Sequence, residues 1–392
     1  MSTLKVDGIR SNGDSSGNDA ITLADNTTCT ANITNNLSNR NLIINGAMQV
    51  AQRGTSASVT GGYLTVDRYE TATGGVNEAP TQAQADVTSG GAYDAGFRKC
   101  LKVTNGNQTS TDAGDNIIAL RYHAEAQDIA NSGWNYTSTS SYLTLSFWIK
   151  SSIAQSFQGV LVTTDGTSQI YPFETGSLTA GQWTKVTKTI PGNSNLQFDN
   201  DNQKGLTLEI IGYSGSTYAN NSATINAWQA FASGISFGRA SAASWYEAND
   251  ATLEITGVQL EVSDYATDFE HRSYGVEKRL CMRYYQEYKN IQMAGYVPGT
   301  GSRAYGLGFN FPVEMKSAPS ITLTATGSSS GQTISDGSAD AYVTSLLSSG
   351  VSSQHVELSV NLNTDLTDSR VAIAYGSGYS VRETTYKYSA EL

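Results

Sequence analysis

The chain has 392 residues, a length that supports two or three domains, each able to bury its own core. Its net charge of −11 sets it against nucleic acid and anionic membranes, whose negative surfaces it would repel. Only 15% of residues are charged, while Gly (38) and Tyr (22) are abundant beside many Ser, Thr and Asn, a mixture that favours strands joined by many turns. Three scattered cysteines, Cys29, Cys100 and Cys281, form neither a disulfide framework nor a zinc site, and are expected as free, buried thiols.

Residues 1–40 hold short apolar steps (Leu4, Val6 and Ile9; Ala20, Ile21 and Leu23; Ile33) separated by polar runs such as SNGDSSGND. Such a segment cannot make a core alone, and it is expected to be an extended arm ordered by a partner, with a loose tail as the alternative. The opening MSTLKVDGIRSNGDSS lacks the apolar run of a secretory signal, so export by the usual route is not expected. No run of about 18 apolar residues occurs anywhere, so no membrane-spanning helix is expected either.

From residue 41 the texture becomes that of strands. LIINGAMQV places apolar residues on both sides of an Asn-Gly turn signal. Further runs lie at 98–105, 116–125, 142–151, 158–165, 183–191, 205–214, 228–238 and 251–262, most of them alternating at period two. In 142–151, Leu143, Leu145, Phe147 and Ile149 alternate with Thr144, Ser146, Trp148 and Lys150. About ten such strands without helices predict a two-sheet jelly-roll sandwich over residues 41–273. Core packing is expected for Trp148 and Trp183, as for most tryptophans.

After Val262 the alternation stops, and VEKRLCMRYYQEY (276–288) has the spacing of one short amphipathic helix, giving a linker at 274–290. Residues 291–392 return to strands at 291–297, 304–314, 320–327, 341–347, 355–362, 370–376 and 386–392, a smaller C-terminal β domain. Pro312 is expected to mark an edge or a strand break.

Catalytic signatures are missing: there is no nucleophile elbow, phosphate loop, H-E-x-x-H or C-x-x-C. His123, His271 and His355 stand far apart and are expected to be structural. Glu261, Asp264, Asp268 and Glu270 cluster after the last sandwich strand. The expectation is a solvated loop whose acids cap the helix and pair with Arg272, Lys278 and Arg279. These acids and those near Ala248–Asp250 match no EF-hand loop; no metal, cofactor or catalytic residue is assigned. Sugar binding is the more realistic activity, because pyranose rings dock on exposed aromatic faces flanked by amides and carboxylates. Trp134 and Tyr136 in one loop, and Trp245, Tyr246 and Glu247 in another, have that composition, with plugs at the end of the sandwich as the alternative. Tyr296, Tyr305, Tyr375 and Tyr379 offer a third surface.

Two segments carry a resemblance. RNLIINGAMQVAQRGT (40–55) followed by DRYE (67–70), and GVQLEVSDYATDFEHRSYGVEKRLCMRYYQ (257–286), resemble the borders of a domain in tail fibre and receptor-binding proteins of bacteriophages. The opening MSTLKVDGIRSNG with NDAITL is similar to the starts of such proteins in marine phages, including cyanophages. Where those proteins often carry ATPFEHR, this chain has Asp268 in place of the proline. The sandwich interior is similar only in texture to jelly-roll carbohydrate-binding modules.

The resemblance implies a non-enzymatic virion protein, a homotrimeric tail fibre assembled in the host cytoplasm. Residues 1–40 would attach it to other tail proteins, and β domains would meet a host-surface glycan, with the C-terminal domain as receptor-binding candidate. The alternatives are a tail fibre or tailspike with glycan depolymerase activity, and a capsid decoration or head fibre.

Overall fold

Period-two alternation of β-branched and aromatic residues produces the expected sandwich, and each sheet proves two strands larger than its sequence signals. A computed structural model describes residues 39–109, 114–297, 301–326, 331–336, 339–366, 371–374 and 383–392. The arm expected over residues 1–40 lies, apart from its last two residues, outside the described residues, as does Cys29.

Strands are numbered in chain order. The first sheet runs β1 (Ser56–Ser58), β3 (Thr81–Asp86), β4 (Lys99–Thr104), β12 (Thr252–Val262), β6 (Tyr142–Ser151), β9 (Thr184–Pro191). The second runs β11 (Gln229–Ala230), β8 (Gln169–Ser177), β7 (Ser156–Thr163), β10 (Lys204–Ser214), β5 (Ile117–Glu125), β2 (Tyr69–Gly74). Neighbouring strands pair antiparallel, and chain-distant strands lie side by side, as in a jelly roll. Leu143, Leu145, Phe147 and Ile149 of β6 point inward and are buried together with Leu206, Leu208 and Ile210 of β10. Each such side chain contributes about 1.5–3 kcal/mol by leaving water.

Both outer faces are partly covered as well. The loop after β10 lays Phe237 and Ala219 on Ala119 and Ile211, and Ile235 on Val160, Val162 and Ile170. On the first sheet, Thr144 is buried because its hydroxyl donates to the Ser263 carbonyl at 2.8 Å.

Several expectations need correction. LIINGAMQV forms turns and irregular backbone, not strands, because Asn41 and Asn45 use their own amides to satisfy the local backbone. Only Gln229–Ala230 of the 228–238 run is strand. Three short helices interrupt a sandwich expected to have none: α1 (Gly91–Asp94), α2 (Ala126–Ala130) and α3 (Ser244–Glu247).

The expected helix is α4 (Tyr274–Met282), N-capped by Ser273, whose hydroxyl accepts from the Val276 amide at 3.4 Å. It stops sooner than expected, because Tyr285–Lys289 becomes β13, paired with β21 (Glu383–Ser389). With β16 (Ser320–Thr326), these make a three-stranded sheet. Beside it stands a closed barrel in the order β14 (Met293–Tyr296), β15 (Gly301–Asn310), β19 (His355–Leu366), β18 (Asp340–Val351), β17 (Thr333–Ser335), β20 (Val371–Ala374). β15 ends two residues before Pro312. Leu307, Val343, Val356, Leu358, Val360, Tyr386 and Tyr388 form this second core, separate from that of the sandwich.

Candidate functional site

The aromatic loops that suggested sugar docking are built into the sandwich. Trp134 is 3% exposed; it packs between Tyr136 and Phe198 at 6.2 and 6.1 Å and donates its indole N–H to the Ser141 carbonyl at 3.2 Å. Trp245 and Tyr246 on α3 are 0% exposed. Trp245 meets Phe157 edge-on, and Tyr246 stacks on Tyr213 at 4.0 Å while its hydroxyl accepts from Asn116. These three rings belong to the sandwich core, with no face left exposed for a pyranose. Tyr136 is half-buried against Phe198, and only Glu247 of the five is exposed.

Trp148 and Trp183 reverse the opposite expectation. They lie on the outer face of the first sheet, half-buried beneath α1 in a satellite cluster with Phe97 and Phe269. A Cβ on Gly91 would stand 2.6 Å from the Trp148 ring, and Gly90 passes Trp183 with φ of 84°.

The two segments with the family resemblance meet in one joint. The Asn41 amide donates to the Val258 carbonyl at 3.1 Å, and its oxygen accepts from the Leu260 amide at 3.1 Å. Glu270 accepts from the backbone amides of Asn39 (2.5 Å) and Asn41 (2.8 Å), and Arg272 donates to the Ile43 carbonyl at 3.2 Å and to that of Asn41. Glu277, reached from α4, accepts from the Asn45 amide. Glu261 likewise holds Thr267 and faces Arg40 at 3.6 Å. Glu261 and Glu270 thus fasten residues 39–41 and their own loop; capping of α4 falls to Ser273.

Behind this lies a buried ionic layer. Arg68, with no exposed side chain, takes the left-handed φ of 73° and donates to Glu391 and to the His123 carbonyl at 2.6 Å, with the Tyr284 ring 3.4 Å away. Arg53 reaches Glu391 at 3.0 Å and Asp67 at 3.7 Å, over the Tyr285 ring at 3.7 Å. Glu125 accepts from Nε and Nη2 of Arg283, each at 2.9 Å, and from the Tyr284 hydroxyl at 2.5 Å. Burial works to raise the Glu125 carboxyl, but these donors outweigh it and hold it below the usual carboxylate range. Burial pushes the Asp67 and Glu277 carboxyls upward despite their donors. These contacts tie Arg53, Asp67, Arg68 and Glu125 of the sandwich to Arg283, Tyr284 and Glu391 beyond it.

A second polar group crosses the outer face of the second sheet. His123 contacts Thr207 at 2.8 Å and Glu70 at 3.2 Å, and Arg121 donates to Glu209 at 2.9 Å and faces Glu70 at 3.9 Å. The His123 contact holds the Glu70 carboxyl below its ordinary value, whereas burial raises that of Glu209. Both carboxylates are engaged by neighbouring side chains, which makes this face a cross-strand ladder. His271 rests on Phe97 and Phe269, and His355 contacts Asn310 at 2.9 Å. Cys100 and Cys281 are buried and unpaired, and burial pushes both thiols up. Among the described residues, no three or more His, Cys, Asp or Glu side chains converge to hold a metal, and no helix is long and apolar enough to cross a membrane.

No protein-family profile matches the sequence, and no curated protein does. Solved structures overlap the chain at low similarity. A putative sugar binding protein from Bacteroides thetaiotaomicron is 11% identical, with a TM-score of 0.30 over 57% of this chain and 100% of that one. The enzymatically active domain of tailspike protein 4 from bacteriophage CBA120 is 8% identical with a TM-score of 0.29; the overlap takes in 57% of this chain but only 21% of that one. The N-terminal cellulose-binding domain of a Cellulomonas fimi β-1,4-glucanase is 8% identical, with a TM-score of 0.26 over 56% of this chain and 99% of that one. Likenesses of this order carry no argument about function.

Proposed function

We propose that the chain is a non-enzymatic structural protein of a virion appendage, a bacteriophage tail fibre, that presents β domains to host-surface glycans. The observation that carries this reading is the joint: the two segments resembling tail-fibre borders, more than 200 residues apart, interlock through Asn41, Glu270 and Arg272. A fibre must hold its receptor-binding part at a fixed distance from its anchor while bearing load. A layer of matched buried charges suits that task, because its geometry is lost if either side shifts. In this reading residues 1–40 attach to other tail proteins, and the fibre is a homotrimer assembled in the host cytoplasm. Trimerisation turns weak single sugar contacts into useful adsorption, with avidity gains on the order of 10²–10⁴.

The test uses labelled full-length protein on host cells. It is expected to adsorb, to compete with the phage, and to lose adsorption when periodate has cleaved the vicinal diols of surface sugars. It should release no reducing ends from host polysaccharide. Adsorption unchanged by periodate would refute glycan recognition, and release of reducing ends would replace this reading with a depolymerase.

A further inference from the structure

On the barrel, β14 and β15 bring Tyr296 directly opposite Tyr305. The rings lie 6.1 Å apart and are tilted by only 32°, and Tyr296 is 52% exposed. β15 carries an extra residue here: Ala304 pairs with Val360 and Leu307 with Leu358, three steps along β15 against two along β19. Ala304 and Leu307 both point into the barrel at 0% exposure, so the bulge turns both Tyr305 and Gly306 outward. Gly306 has φ of 69°, and a Cβ there would lie 3.5 Å from two carbons of the Tyr296 ring and 3.8 Å from Glu357 Oε1. The Tyr296 ring therefore lies against bare backbone, with a carboxylate on the far side of the glycine. Arg303, exposed on the same strand, stands two residues before Tyr305.

A cross-strand tyrosine pair stabilises a hairpin without any bulge. Here the bulge sets Tyr305 and Gly306 outward beside the exposed Tyr296 ring and brings Glu357 to the same face, so two aromatic rings and a carboxylate share one outward surface. We infer that this face binds a neutral hexopyranose unit of a polysaccharide chain, an inference that rests on the glycan role proposed above and gives it a site. The rings offer a platform for the C–H face of the sugar, and Glu357 accepts from its hydroxyls. Arg303 and Glu357 carry opposite charges, so the face favours neither a polyanion nor a polycation. A second protein copy fits poorly, because interface cores are depleted in charged residues and this patch holds one at each side of two rings.

The experiment applies full-length protein to immobilised neutral hexasaccharides of gluco, galacto and manno configuration, with galacturonate and sulfated hexasaccharides as the anionic arm. Retention is expected on at least one neutral series. It should fall by roughly tenfold in Tyr296→Ala, the scale of one lost ring contact, and fall also in Glu357→Gln. Tyr93→Ala is the control: that ring is exposed on the sandwich and already covered by Arg98 at 3.8 Å, and its loss should change nothing. Retention on no series, retention only on the anionic series, indifference to Tyr296→Ala, or a loss of oligomer mass in that variant in place of lost retention would each overturn the inference. Failure of the wider reading is distinct: if wild-type protein does not adsorb to host cells, the appendage role falls, whereas periodate-sensitive adsorption preserved in Tyr296→Ala removes only this site.

Discussion

Replacing Glu391 with alanine would strip Arg68 of the one carboxylate it meets among the described residues. The guanidinium would stay fully buried, facing the His123 carbonyl and the rings of Tyr284 and Tyr122 at 3.4 and 5.3 Å. Removing one member of a buried pair costs about 3–5 kcal/mol, because the remaining charge is desolvated without compensation. Arg53 also loses its 3.0 Å contact and keeps Asp67 as its carboxylate partner, so the upper part of that range is expected. Urea unfolding reads the effect, with tryptophan fluorescence and far-UV circular dichroism followed together. All five tryptophans lie between Trp134 and Trp245, so fluorescence reports the sandwich while dichroism reports both β bodies. Both midpoints should fall in Glu391→Ala. The double variant Arg68→Met with Glu391→Leu should recover most of the loss, since apolar replacement of a whole buried pair is often neutral. A cost below about 0.5 kcal/mol, or a double variant no better than Glu391→Ala alone, would refute the joint as an energetic unit.

Asp268→Pro should be tolerated within about 1 kcal/mol, because the side chain is exposed and the joint uses only the carbonyl of this residue, which accepts from Arg40 and from Gln259 at 3.3 Å; a larger loss in the urea midpoint contradicts this. Gly91→Ala should destabilise by about 1–3 kcal/mol, since the added methyl meets the Trp148 ring at 2.6 Å, and an altered tryptophan emission should accompany it. His123 gives a pH test with a defined sign. Burial lowers its folded-state pKa below 6.5 although Glu70 opposes this, while Lys204 and Arg68 nearby add to it. Its contribution to stability is therefore complete above pH 6.5 and shrinks as pH falls toward the folded value. The advantage of wild type over His123→Gln should narrow between pH 7.5 and 5.5, by at most about 1.4 kcal/mol per pH unit; an advantage that widens in acid contradicts the assignment.

Strands with strict apolar–polar alternation were legible, whereas Tyr69–Gly74, Thr81–Asp86 and Gln169–Ser177 carry too little of it to stand out. Tyr142–Ser151 matches its expected bounds, since Leu143, Leu145, Phe147 and Ile149 face one continuous core. Residues 41–50 were misread because their apolar pattern resembles a hairpin while two asparagine side chains take over the backbone hydrogen bonds. The end of α4 was misread because Tyr285–Lys289 gains a ladder with β21, a partner about a hundred residues away that no local window contains. A separation of 323 residues hid Glu391, although Arg68 stood in a motif already singled out. Aromatics outside the alternating runs were the least readable: only the fold decides that Trp134 is buried in the sandwich core while Tyr296 lies exposed across a glycine.

A side-chain-resolution reconstruction of the assembled phage particle tests the central claim most directly. The account predicts three copies in a tail fibre, residues 1–40 in contact with other tail proteins, and the Tyr296 face turned toward the medium. Copies set in the capsid shell, or Tyr296 covered by another virion protein, would contradict it.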